Sequence, residues 1–340
     1  MTQVARALGP HTGREEHARA LDSAAATMAL LLCPGLGNRA ALEFQTAAWR
    51  LGLPLGDLLE HSTAELVQML PVGSRAVAEA LAKWDGSRRT RALKNRARRL
   101  AGRVSRMRGT AHIPGDAEYP ESLRDALGRE TPACLTVLGP TALLQGPGAA
   151  IVGARDVSVR GRKLAEACAR TFAEAGITVV SGGARGVDSA AHYAALAAGG
   201  TTVVVLPQGL FTYSVPSAIA RGVARDRAAI VSQFLPDAPW ETHAAVTRNA
   251  TISALARLVC VIEPKKTGGS IRTARCALSQ GKHVLVFAAK EDVRAQLLSH
   301  AGAAFLFDEE GQFRAQRLLD LWVSAPAPKA VQKDLFSASP

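Results

Sequence analysis

Four segments of this 340-residue sequence gather small, hydroxyl and basic residues. The first is Gly153-Ala154-Arg155-Asp156-Val157-Ser158-Val159-Arg160-Gly161. The second is Ser181-Gly182-Gly183-Ala184-Arg185-Gly186-Val187-Asp188. The third is Arg248-Asn249-Ala250-Thr251, and the fourth runs from Lys265-Lys266-Thr267 through Gly268-Gly269-Ser270 to Thr273. Glycine lets backbone amides approach a ligand, and a helix N-terminus favours anions. Arg, Lys, Ser and Thr add donors. Chemistry of this kind suits a polyanion held by backbone and guanidinium contacts.

Two nucleotide classes are disfavoured by the same loops. A dinucleotide site wants G-x-G-x-x-G and an acidic residue ending the second strand. Here the first loop reads Gly-Ala-Arg and the second strand ends in Ser181-Gly182, while GxxxxGK[ST] is absent. Asp188 and His192 share a helix face at i, i+4 and invite a general-base reading. With no nucleophile placed beside them, a capping carboxylate and a structural imidazole is the simpler reading. Glu263, at a strand end, reads as a carboxylate that orients Arg or loop amides. No catalytic residue is expected.

The segments sit where strands end. AAIVGA, ITVVSGG, TTVVVLPQG, AAIVSQF, RLVCVIE, HVLVFA and AAFLFD are near-continuous apolar runs separated by helix-length stretches. That pattern means an α/β fold with a doubly wound, mostly parallel sheet covered on both faces. All four loops then emerge on the carboxyl edge, where such sheets bind ligands. Before it, residues 23–110 read as a small all-helical domain. Pro34-Gly35-Leu36-Gly37 and Pro71-Val72-Gly73-Ser74 look like tight turns between helices. Each turn suits either a helix-hairpin-helix facing phosphate or a plain αα-turn. Residues 1–22 and 323–340 are expected to be tails, leaving 111–322 for the sheet domain.

Charge is concentrated. The chain carries 41 basic and 29 acidic residues, for +12. Segment 86–108 alone holds ten basic residues and no acid, among them Arg88, Arg89, Arg96, Arg98, Arg99 and Arg103. Without it the chain is nearly neutral. A helix of like charges is costly in isolation, which favours a nucleic-acid partner over a merely solvated face. Hydrophobic residues make up 48% of the chain, enough for a sizeable core. No apolar run is long enough to span a membrane, and no secretory leader is evident. Five scattered cysteines form no CxxC pair, so neither a metal site nor a disulfide framework is expected. No cofactor is expected either, and the cytoplasm is the default compartment.

IVGARDVSVRG, VVSGGARGVDSAAH, RNATISAL and VCVIEPKKTGGSIRTARCAL, in this order, resemble the signatures of the DNA-processing protein A family (DprA/Smf). Tyr119-Pro120-Glu121-Ser122-Leu123 and Pro132-Ala133-Cys134-Leu135 resemble the entry into its Rossmann-like domain. The helical segment before it has the place of that family's helix-hairpin-helix or SAM-like domain. The resemblance covers roughly residues 28–290. It implies a non-enzymatic, dimeric single-stranded DNA binder that loads the RecA recombinase during natural transformation. Carried over by position, Arg155 and Arg185 are the main DNA-contacting residues. Gly153, Ser158, Gly161, Ser181, Gly182 and Gly186 shape their loops, and Arg248, Asn249, Gly269, Ser270 and Thr273 complete the phosphate contacts.

The sequence departs from the pattern in places. Ala250 stands where the family's Arg-Asn-Arg element has its second Arg, Gln233 where it has Glu, and Ala288-Ala289 where it has Pro-Gly. The winged helix that ends many members is expected to be absent. An alternative reading is a LOG-like nucleoside-monophosphate phosphoribohydrolase on a related fold. Its P-G-G-x-G-T-x-x-E signature has no glutamate counterpart after Gly269.

Gln332-Lys333-Asp334-Leu335-Phe336 resembles the short peptide by which replication and repair proteins dock on the DNA sliding clamp. Gln332 would fix register while Leu335 and Phe336 enter an apolar pocket. The other reading is a C-terminal anchor that folds back on the sheet domain. Titrating a labelled 328–340 peptide with the host's clamp decides between them. The docking reading expects modest binding that Leu335→Ala with Phe336→Ala abolishes; equal binding by both peptides sinks it.

Overall fold

Strand-forming runs rich in Val, Ile and Ala build a parallel sheet whose central strands are buried on both faces. The computed structural model describes residues 10–69, 82, 88–264, 268–287, 293–305 and 313–325. They divide into two units. Of the described residues, one is built on those up to Tyr119 together with 132–136, the other on 120–131 and those from Val137 to Ala325.

In the first unit, helices α1 (Pro10–Leu32), α2 (Asn38–Arg50), α3 (Leu55–Leu58), α4 (Thr63–Met69) and α5 (Arg88–Arg106) precede strand β1 (Gly109–His112). Helix α1 begins inside the segment expected to be a tail. The turn around Gly35 joins α1 to α2 as expected, whereas the turn at 71–74 lies outside the described residues. Helix α5 buries Ala97, Leu100, Ala101 and Val104, spaced at one helical face, and exposes Arg91, Arg96, Arg98, Arg99, Arg103 and Arg106. Lys94 is committed within the unit, its Nζ 2.7 Å from the Leu59 carbonyl and 2.8 Å from Glu60. The side chains of Arg88 and Arg89 lie outside the described set.

The boundary expected near residue 110 falls later, for a hydrogen-bonding reason. The Tyr119 hydroxyl donates to the Pro132 carbonyl at 2.8 Å. Asn38 Oδ1 accepts from the Ala133 amide at 2.7 Å, and buried Gln45 Nε2 donates to the Ala133 carbonyl at 2.8 Å. Segment 132–134 is thereby stitched to the helices, although it stands in the sequence beside a strand.

The second unit starts with α6 (Glu121–Leu127), and β2 (Leu135–Leu138) crosses the division between the units. It then runs β3 (Gly148–Gly153), α7 (Val159–Glu174), β4 (Val179–Gly182), α8 (Val187–Ala197), β5 (Thr202–Leu206), α9 (Ser217–Val223) and β6 (Ala228–Ser232). It continues with α10 (Thr242–Ala254), β7 (Ala256–Ile262), α11 (Gly269–Ser279), β8 (His283–Phe287), α12 (Val293–His300), β9 (Ala304–Phe305) and α13 (Ala315–Ser324). Its strands lie in the order β6-β5-β4-β3-β7-β8-β9, each neighbouring pair parallel. The fold is thus the expected Rossmann-like α/β arrangement. The chain runs outward from β3 to β6, then returns to place β7 on the other side of β3, with Ile151 opposite Cys260. That reversal opens a crevice at the carboxyl ends of β3 and β7. One core joins Ile151, Cys260, Leu258 and Leu285 of the sheet to Phe172 of α7, Val187 of α8 and Leu318 of α13.

Two tethers were invisible in the sequence. Arg257 reaches the end of α13, its Nε 2.9 Å from the Ala325 carbonyl and its guanidinium 5.2 Å from the Trp322 ring. Ordered structure therefore continues to Ala325, past the expected limit at 322. The tail motif Gln332, Leu335 and Phe336 lies outside the described residues, as do Lys265, Lys266, Ala288 and Ala289. Among the described residues no helix is long and apolar enough to cross a membrane.

The second tether is Lys282, 4% exposed, which donates to the carbonyls of Ser253, Ala254 and Ala256. It closes the C-terminus of α10, where carbonyls have no helical partner. Lys282→Met keeps the stem and removes the donors. It is expected to cost about 2–3 kcal/mol of unfolding free energy in urea denaturation. A loss below about 0.5 kcal/mol would show that those carbonyls find other partners.

Candidate functional site

Loops from three strand ends and the body of α10 converge on a cavity of about 340 Å³ at the β3–β7 crevice. Gly153 ends β3 and Arg155 lies in the loop after it, and Arg248 and Asn249 come from α10. Gly269, Ser270 and Thr273 come from the first turns of α11. Helix α11 points its N-terminus at the cavity, Gly268 standing at the cap with no side chain to fill it. Free amides and the positive end of the helix dipole favour an anion there. Asp156, Ala184 and Asp188 complete the wall.

Arg248 is held more deeply than a surface DNA contact would be. It is 7% exposed, and its Nη1 donates to the Val205 carbonyl at 2.9 Å. Its Nε finds no partner. The guanidinium crosses Gly182 so closely that a Cβ there would stand 2.0 Å from Nη1 and 2.6 Å from Asp188 Oδ2. Gly182 is thus required by the Arg248–Asp188 pair rather than by a ligand. Burial pushes the Arg248 guanidinium below its ordinary value, opposed by Asp188 and reinforced by Arg155. Burial also lifts the Asp188 carboxyl to about 6, against Arg248, the Ala184 amide, Ser181 and Arg155.

Several residues expected to shape the loops are bonded within the protein. The Ser158 amide donates to Glu263 Oε2 at 2.9 Å and its hydroxyl to Oε1. Ser158 Oγ in turn accepts from the Gly161 amide at 3.0 Å. The N-terminus of α7 is therefore capped internally, with the Glu263 carboxylate as its anion. Ser181 is fully buried and donates to the Ile151 carbonyl. Gly186, at φ 87°, makes a turn tight against the Ala154 and Arg155 carbonyls, each 2.3 Å from where a Cβ would be. These residues hold the loops and do not line the cavity. Thr273 does line it, though its hydroxyl donates to the Gly269 carbonyl at 3.1 Å.

Arg185 is separate from the cavity as well. It pairs with Asp156 at 3.1 Å, both side chains well exposed. A pair so exposed is worth little and opens readily for a competing anion. His192 is bonded at both ring nitrogens. Its Nε2–H donates to the Gly182 carbonyl at 2.8 Å and its Nδ1 meets the Thr202 hydroxyl at 2.6 Å. Burial lowers it to about 4, so the ring is neutral near pH 7.

A sequence model of the DNA recombination-mediator protein A family matches residues 110–311, more than half of the chain. The chain belongs to that family. It is 37% identical over 175 residues to Protein Smf of Escherichia coli strain K12, covering 51% of this chain and 46% of that one. It is 35% identical over 170 residues to DNA processing protein DprA of Streptococcus pneumoniae strain R6, covering 49% and 58%. The chain thus spans about half the length of these relatives. The solved structure of the Streptococcus pneumoniae protein superposes with a TM-score of 0.65 over 85% of this chain and 95% of that one. Identity there is 24%, so the likeness is one of fold. DNA processing protein A of Helicobacter pylori, described for its unique single-stranded DNA binding mode, gives a TM-score of 0.52 at 25% identity. That match covers 63% of this chain and 95% of its own.

Within this family chain, two departures find local explanations. Gln233 accepts a hydrogen bond from the Thr251 hydroxyl and so braces α10, a task its amide performs without a charge. Ala250 leaves Arg248 as the only cation of that element, and Arg248 is buried.

The Asp188 carboxyl makes anion binding pH-dependent. Its ordinary value lies near 4 and here it titrates near 6, so it carries charge at pH 7.5 and loses it on acidification. Arg155 and Arg248 then face the ligand without their counter-charge. Affinity for an anionic ligand is expected to rise about fivefold from pH 7.5 to 5.5, the worth of roughly 1 kcal/mol of repulsion. Asp188→Asn should bind at pH 7.5 as the wild type does at 5.5. A pH profile that persists unchanged in Asp188→Asn would place the titration elsewhere.

Proposed function

We propose that this protein binds single-stranded DNA and acts as a recombination mediator. The carrying observation is the β3–β7 cavity, which aims Arg155, Arg248, Asn249 and the α11 N-terminus at one point in a member of this family. Those groups recognise phosphate through backbone geometry and charge, so sequence preference should be slight. Helix α5 supplies a second, sequence-independent attraction through its exposed arginines. A RecA-type recombinase and a second copy of the chain are the protein partners that the family resemblance suggests. The sliding clamp stands as a further proposed partner, resting on the tail motif alone.

Binding rather than catalysis is favoured because the titratable groups around the cavity are engaged. Asp188 faces Arg248, Glu263 caps α7, and both nitrogens of His192 are bonded. The phosphoribohydrolase alternative needs a carboxylate following the phosphate loop. Residues 268–274 contain none, and hydrolysis of nucleoside monophosphates is not expected.

A binding series across salt concentration tests the reading. Arg155→Ala is expected to weaken single-strand binding and flatten the log–log salt slope by about 0.7, one phosphate's worth. Arg185→Ala should act in the same direction once its Asp156 partner is accounted for by Asp156→Ala. Gln at Arg96, Arg98, Arg99 and Arg103 should reduce affinity more at low salt than at high. Unchanged binding in an Arg155→Ala, Arg185→Ala protein would remove the strand-end loops from the interface.

A further inference from the structure

The helical unit holds an open groove of about 460 Å³, larger than the β3–β7 cavity. Its lining belongs wholly to the first unit and comes from α1, from α3 with its flanking residues, and from α5. On α1 the lining is Asp22, Ala25, Ala26 and Ala29, the i, i+3, i+4, i+7 spacing of one helical face. Close-packed interiors leave few voids larger than a water molecule, and alanines are too small to close this one. Pro54 and Leu59 extend the apolar wall. At Gly56 a Cβ would meet nothing within 4 Å, so α3 presents open space there.

The charges on the rim decide what fits. Glu60 is answered by Lys94 at 2.8 Å, and Lys94 is held further by the Leu59 carbonyl. Among the described residues, the exposed carboxylates of Asp22 and Asp57 form no ion pair. On a chain of net charge +12, this rim therefore leaves two acids against one cation, Arg98. Two unanswered carboxylates repel a phosphate backbone, so a nucleic acid is a poor occupant. A helix with an apolar stripe flanked by lysine or arginine is a good one. Its large side chains fill what the alanines leave open, and its cations meet Asp22 and Asp57.

We propose that the groove between α1, α3 and α5 docks a basic amphipathic helix of a partner protein. The groove shares no lining residue with the β3–β7 cavity, and the proposal does not rest on the single-stranded DNA reading.

The probe is a labelled helical peptide of about 18 residues, with leucines at i, i+3, i+4 and i+7 spacing and lysines beside them. A twin carries glutamate in place of every lysine. Binding to the full chain is read by fluorescence anisotropy. The wild type is expected to bind the lysine peptide. Asp22→Asn with Asp57→Asn should weaken it about threefold to tenfold, the worth of two exposed charge pairs. Gly56→Leu enters open space and should keep the wild-type circular dichroism and melting temperature. It should weaken the lysine peptide about tenfold or more, the burial lost when one peptide leucine is shut out. The glutamate twin should be indifferent to Gly56→Leu, because only the arginines of α5 attract it. Equal binding of the lysine peptide by wild type and folded Gly56→Leu overturns the proposal, as does no binding at high micromolar protein. A glutamate twin that loses affinity in Gly56→Leu as the lysine peptide does also overturns it. Self-association of the wild type that Gly56→Leu abolishes, read by sedimentation velocity, would give the groove to a second copy of the chain instead.

Discussion

One buried guanidinium organises the carboxyl edge of this sheet. Arg248 lies across the Cα of Gly182, donates to the Val205 carbonyl and faces Asp188, so it ties β4 and β5 to α10 and to the first turn of α8. Burying an isolated guanidinium would be prohibitive, and Asp188 is what makes it tolerable. The carboxylate is in turn lifted towards neutrality by the same burial. The two side chains therefore depend on each other, and both depend on a strand that ends in glycine. Any side chain at residue 182 would evict the guanidinium before it touched a ligand.

A division of labour among the strand-end loops follows. Among the helix N-termini at the carboxyl edge, those of α7, α8 and α11 follow the glycine-bearing loops, and each would suit an anion by its dipole alone. The first is already filled by Glu263, brought from the end of β7 with its backbone at φ 48°. The second carries Asp188 in its own first turn. Only α11 begins with bare glycine and reaches the cavity without an acidic residue in its first turn. Internal carboxylates thus direct an external anion to one of three similar places.

This explains which parts of the site were legible in the sequence. Apolar strand runs and the glycine-bearing loops after them report local preferences, and the parallel sheet with its ligand edge follows from those. The convergence of Arg155, Arg248, Asn249 and Ser270 follows from topology. What holds Ser158, Gly161 and Ser181 in place was not legible because their partners are remote. Glu263 lies 105 residues from Ser158, and Ile151 lies 30 from Ser181. A hydroxyl residue in a glycine-rich loop looks the same whether it meets a phosphate or a distant carboxylate. The return of 132–136 to the helical unit and the Lys282 clasp escaped for the same reason. Buried polar pairs across long separations leave no periodic trace.

The charge count at the edge limits what the anion site does alone. Among the residues lining the β3–β7 cavity, Arg155 and Arg248 are opposed by Asp156 and Asp188, so the cavity's own charges nearly balance at neutral pH. Helix α5, by contrast, exposes Arg91, Arg96, Arg98, Arg99, Arg103 and Arg106, with no acidic residue between Arg88 and Arg106. Long-range attraction for a polyanion is therefore strongest where the chain is least structured to recognise one, because a row of exposed cations is screened and unselective. Selection between anions falls to the cavity, where amides at fixed positions and a half-neutralised guanidinium pair reward phosphate geometry more than charge. A cavity built this way discriminates by the placement of its donors more than by net charge.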